Sequence, residues 1–168
     1  PDLRPLVDRH NVFSRFNIEN LEYCDAHNIP YICECAPDNG DPTNDAYWPA
    51  YAEWGSFWDH PRVKALIARG AKRYLVAYCA YDEHGPQKYY EILVSKELQA
   101  EADRLFGDKG CLRRCMHMSH EVTIRGKTAD GAFWLSQQFE EYPTGLADDF
   151  AVILASVAIP AGQQPAPQ

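Results

Sequence analysis

Two thiols, two imidazoles and two thioethers fall within ten residues at Cys111-Leu-Arg-Arg-Cys-Met-His-Met-Ser-His120. Soft donors of this kind suit Zn2+ or Cu(I), which makes Cys115 and His117 the candidate metal ligands. No Cys-x-x-Cys or His pair at structural-zinc spacing completes a tetrahedron, although Cys33-Glu-Cys35 is a donor pair available from another strand. The plainer expectation is buried cysteines, surface histidines and no cofactor. His117 with Glu121, or with Glu91, is also a candidate acid-base pair for a small lyase, isomerase or cyclase, since an imidazole titrates near neutral pH. An acidic loop with Asp38, Asp41 and Asp45 lacks the twelfth-position Glu of a calcium-binding EF-hand loop and reads as a solvated turn. Cys79 and His84 do not read as a nucleophile-base pair, because the strand carrying Cys79 points away from the turn carrying His84. No Gly-x-Ser-x-Gly, phosphate loop or His-Glu-x-x-His is present.

The densest aromatic segment is Tyr47, Trp48, Tyr51, Trp54, Phe57 and Trp58. On a helix, Tyr47, Tyr51, Trp54 and Trp58 fall on one stripe, while Trp48 and Phe57 lie off it. That is more aromatic surface than one packing face requires. The stripe is therefore expected to wall a pocket for a planar or hydrophobic small molecule, with Tyr74, Tyr78 and Tyr90 opposite. As an exposed patch, the same segment would instead dock a protein partner or a second copy, giving a homodimer.

The elements that must position these groups are marked by periodicity and turn chemistry. Asn17 to Asn28 reads as a helix stopped by Pro30, and Tyr31-Ile-Cys-Glu-Cys35 as a short strand. Residues 36–45, dense in Pro, Asp, Asn and Gly, form a loop. Ala46 to Gly70 is expected to be broadly helical with a bend at His60-Pro61. Strands Arg73 to Tyr81 and Tyr89 to Ser95 are joined through Asp82-Glu-His-Gly-Pro-Gln87 as a hairpin. A helix over Lys96 to Phe106 ends at Gly107, Leu112 to Arg125 reads as a long strand, and a Lys127 to Gly131 turn follows. Ala132 to Tyr142 is strand or helix, and Asp149 to Ile159 reads as a closing strand. The sum is an α+β fold with a largely antiparallel sheet and packed helices. It forms a single domain over 1–160, followed by a disordered tail at 161–168.

From Trp54 to Leu98 the order of elements resembles the gyrase-inhibitor-like (GyrI-like) small-molecule-binding domains, also called AraC effector-binding domains. The matching text is Trp54-Gly-Ser-Phe57, Tyr74-Leu-Val-Ala-Tyr78 with Tyr81-Asp-Glu-His-Gly85, and Tyr90-Glu-Ile-Leu-Val94. The likeness extends toward His117, Trp134 and Val157-Ala-Ile-Pro160. It implies binding of a small ligand among aromatic side chains. That family meets cationic ligands with a buried Glu where Ala151 or Val152 stands here, which argues against a cationic ligand.

With 168 residues, 46% hydrophobic and 24% charged, the chain is long enough to bury its own core. Its net charge is −8, and residues 1–60 hold eleven acids against three bases. A phosphate-backbone binder needs a concentrated basic surface, so nucleic acid is not an expected partner. No apolar run is long enough for a membrane span. Six cysteines without an apolar leader, behind an initial Pro1, suggest a cytoplasmic protein with free thiols; disulfide bonding would point to secretion instead.

Overall fold

A computed structural model describes residues 4–53, 55–122, 124, 139 and 141–157, with only the backbone course for 4–10. The first helix, α1, runs from Arg4 to Ala26, longer than the sequence suggests, and breaks where Asn28 takes a left-handed φ of 53° ahead of Pro30. Strand β1 is Ile32–Cys35. After the loop, α2 is Pro61–Ala68, with Pro61 in its first turn and His60 Nδ1 accepting from the Arg62 amide at 3.2 Å. Strands β2 (Lys72–Ala77) and β3 (Tyr89–Val94) form the expected hairpin. A 3-10 turn at Lys96–Leu98 leads into α3, Gln99–Phe106, which stops at Gly107 with φ 72°. The last described helix, α4, is Thr144–Ala155.

Among the described residues the sheet has three antiparallel strands in the order β1-β3-β2, which establishes the α+β class. Alternation along the central strand feeds two cores. Tyr90, Ile92 and Val94 of β3 join Tyr74 and Val76 of β2 against Leu98, Ala102 and Phe106 and, from α4, Leu146 and Ile153. Leu93 points the other way, into Ile18 and Leu21 of α1, Val63 and Leu66 of α2, and Trp58. Full burial of each large side chain contributes roughly 1.5–3 kcal/mol. No described helix is long and apolar enough to cross a membrane.

Three expected elements differ. Ala46 to Gly70 is not broadly helical: short 3-10 turns at Pro49–Tyr51 and Phe57–Asp59 precede α2. Turn chemistry wins there, because Asp41 accepts from the Thr43 amide (2.8 Å), Asn44 from that of Ala46 (2.9 Å), and Trp48 N–H closes the loop on the Asn39 carbonyl (2.8 Å). Leu112 to Arg125 is not a strand in its described part. Residues 108–113 instead curl against the backbone of β2, where a Cβ on Gly110 (φ 90°) would sit 2.0 Å from the Leu75 carbonyl oxygen. The segment beyond is irregular, with Met116 87% exposed and Met118 fully so. In its described part Asp149 to Ile159 is not a strand, because Leu146, Asp149 and Ile153 recur at helical spacing and form the buried face of α4. The Lys127–Gly131 turn, Trp54, Trp134 and the 161–168 tail lie outside the described residues.

Candidate metal centre

Cys79 stands in a 3-10 turn, Tyr78–Ala80, at the end of β2, buried to 2% exposure. The Tyr78 amide donates to the Lys88 carbonyl at 2.7 Å, so the turn is fixed to the start of β3. Cys115 arrives from the opposite direction on a segment anchored by its two preceding arginines. Arg113 stacks 4.7 Å from the Tyr81 ring centroid and donates to Asp149 of α4 at 3.1 Å. Arg114 grips Asp45 of the acidic loop with two hydrogen bonds of 2.7 Å. Tyr81 donates to the same Asp149 at 2.8 Å, joining hairpin, segment and helix.

Because residues 115–120 are irregular rather than extended, His120 folds back: its Nε2 lies 3.4 Å from Cys115 Sγ, and His117 Nδ1 lies 4.0 Å from it. The ligand atoms of Cys79, Cys115, His117 and His120 all lie within 4.8 Å of one another. A tetrahedral zinc with Zn–S near 2.3 Å and Zn–N near 2.0–2.1 Å spaces its ligands by roughly 3.3–3.8 Å. The four side chains thus approach a closed Cys2His2 set, with Cys79 buried, Cys115 and His120 half-buried and His117 exposed. Burial, then the hydrogen bond and charge of Cys115, push the Cys79 thiol up to about 12. Desolvation, then His117, lowers His120. A cation placed among these groups would reverse the balance by favouring thiolates. The thioethers of Met116 and Met118 are exposed.

Cys115 and His117, the ligands the sequence singles out, are therefore together, and Cys79 and His120 join them. Cys33 and Cys35 are not part of the set. An extended strand through 112–125 would have separated His120 from Cys115, and the irregular course of 115–120 is what brings it in. Glu121 is exposed and makes no hydrogen bond to His117. Glu91 is committed elsewhere. Its carboxylate is buried on the α1/α2 face of β3, pairs with Arg73 Nε at 2.7 Å and accepts from the Asp38 amide at 2.8 Å. Asp38, Asp41 and Asp45 accept from Gly40, Thr43 and Arg114, respectively, and form no cluster among the described residues.

Among the described residues the expected aromatic stripe does not form, and its members scatter. Trp58 is 1% exposed in the α1/α2 core, its Nε1 donates to the Ala36 carbonyl at 2.8 Å, and Arg73 covers its ring at 4.7 Å. Tyr74 is buried with its hydroxyl on Asp103 at 2.9 Å. Tyr90 is buried between Tyr142 (5.3 Å) and the half-buried Tyr78 (6.5 Å). Tyr47 and Tyr51, by contrast, line an open cleft of about 610 Å³ with Trp48 and Tyr89. Gln87 and Ile124 border both that cleft and a smaller one walled by His117 and His120, so the aromatic surface adjoins the Cys2His2 cluster. All six cysteines are unpaired. No known family model, no curated protein and no solved structure matches the chain.

Proposed function

We propose that Cys79, Cys115, His117 and His120 hold one Zn2+ and that the metal is structural, tying the irregular 114–120 segment to the β2–β3 hairpin. The convergence of four ligand atoms within 4.8 Å carries this reading. Two thiolates and two imidazoles make a soft, neutral, four-coordinate site with no position left for substrate, which is the signature of a structural zinc rather than a catalytic one. The test is metal content by native mass spectrometry, with Co2+ as a spectroscopic stand-in. Wild type should bind one equivalent and show the intense visible bands of tetrahedral thiolate-bound Co2+. Cys79→Ser and His120→Ala should each lose tight binding. Wild type without metal after loading, or Cys79→Ser that still holds it, overturns the assignment.

A second reading rests on a different observation: Trp48 and Tyr51, 40% and 45% exposed, share one cleft with Tyr47 and Tyr89. Open aromatic walls with Asn39, Asp45 and Gln87 at the rim suit a planar small molecule. Screening planar heterocycles by tryptophan fluorescence, with Trp48→Phe as control, tests it. Binding that survives loss of both Trp48 and Tyr51 would place the ligand elsewhere.

A further inference from the structure

The six thiols fall into three groups. Cys79 and Cys115 belong to the metal centre, Cys24 and Cys111 stand singly, and Cys33 and Cys35 form a pair. Two positions apart on β1, their side chains share the face that packs against the α1/α2 core, while Glu34 between them points the other way and accepts from the Tyr142 hydroxyl at 3.1 Å. The Cys33 thiol donates to the Glu34 carbonyl oxygen at 3.9 Å. The neighbouring Cys35 thiol holds Cys33 below the ordinary thiol range in spite of burial, and Cys33 together with burial pushes Cys35 up. Both residues are partly exposed, and Cys35 opens onto a cavity of about 580 Å³ with Ser14, Asn17, Asp38 and Phe57 on its walls.

We propose that Cys33 and Cys35 are a redox-active dithiol that exchanges with low-molecular-weight disulfides of the glutathione type. The Cys33 thiolate attacks one sulfur of the small disulfide RSSR. A Cys33–SR mixed disulfide forms, and RS− leaves to take up a proton. The Cys35 thiol then loses its proton and its sulfur attacks Cys33, forming the Cys33–Cys35 bond and expelling the second RS−. In sum, two protein thiols and RSSR become one protein disulfide and two RSH. A strand advances about 3.3 Å per residue, so the two Cα atoms stand roughly 6.7 Å apart, at the long end of the range a disulfide spans. Among the described residues β1 pairs with β3 alone, so its pleat can tighten to close the bond with only one ladder to strain. A strained bond of this kind is readily reduced again, which suits exchange rather than stapling.

The experiment equilibrates the zinc-loaded full chain in glutathione buffers of graded potential, alkylates it, and maps the peptide carrying residues 33–35 by mass. The expected result is a peptide two hydrogens lighter in oxidising buffers, restored by reduced glutathione, with Cys35→Ser trapping one glutathione on Cys33. Two alkylatable thiols in the most oxidising buffer, or a bond that reduced glutathione does not reverse, overturns the proposal. The wild-type titration decides the matter even if the variant fails to fold. Oxidation of Cys79 and Cys115 is read on separate peptides, so failure of the zinc assignment does not confuse the result.

Discussion

The β2–β3 hairpin and the 114–122 segment lie side by side and are held by opposite means. In the hairpin, backbone ladders fix the chain and Tyr74, Val76, Ile92 and Leu93 bury their side chains on both faces, so local order follows from alternation and burial. The segment has neither ladder nor core: Met116 and Met118 face solvent, and Arg113, Arg114 and the Cys2His2 set are its fastenings. Hydrophobic burial organises the first region, and side-chain chemistry with a few exact partners organises the second.

The sharpest way to separate the two is to damage each and ask whether the other notices. The largest effect is expected from Ile92→Ala, at the centre of β3 and fully buried, which should cost about 2–5 kcal/mol in urea unfolding, the same with and without a chelator. A chelator-dependent cost would mean that metal and hairpin fold as one unit. Next is Arg73→Met, which leaves the buried Glu91 carboxylate without its ion-pair partner and should cost about 3 kcal/mol near neutral pH.

Its pH dependence has a definite sign. Burial raises Glu91 above its ordinary 4.5, with Arg73 pulling it back down. The folded state therefore binds the Glu91 proton more tightly than the unfolded state, and stability present below the unfolded pKa is lost as pH rises through the folded one. Removing Arg73 raises Glu91 further, so the deficit of the variant should grow as pH increases above 4.5 and shrink below it. A cost independent of pH would show that the arginine acts through its stacking on Trp58 rather than through its charge.

Smaller effects belong to the segment. Arg114→Gln, which removes a largely exposed pair with Asp45, should cost no more than about 1 kcal/mol globally while weakening metal uptake, as measured by competition with a chromophoric chelator. Smallest on global stability is metal removal itself. It should leave the main unfolding transition of the sheet in place while amide exchange accelerates across 114–122 and around Cys79, read by hydrogen-exchange mass spectrometry. Uniform acceleration in β3 as well would erase the distinction between the two regions.

The same contrast explains what the sequence discloses. β1, the hairpin, α3 and the 36–45 loop follow from alternation, the Gly107 stop and dense turn residues, signals carried within each element. Ala151-Val-Ile-Leu154 reads as strand because its helical face is completed by Leu146, upstream of where that run begins. Cys115 and His117 announce soft-metal chemistry locally, but Cys79 lies a hairpin and a helix away, and only the folded turn at Tyr78–Ala80 delivers it. The aromatic run misleads for a related reason. Its spacing suits a helix, whereas Pro49, Gly55 and the Asn and Asp side chains before it commit the backbone to turns, sending Trp58 inward and leaving Trp48 and Tyr51 outside.

Gly110 also governs the company this protein keeps with itself. Among the described residues β2 is an outer strand, and unpaired outer strands are templates on which other chains polymerise. The 108–113 turn shields that strand only because a hydrogen stands where any other residue would drive a carbon into the Leu75 carbonyl. Substitution there would be felt first in the test tube as turbidity and only later as lost helicity.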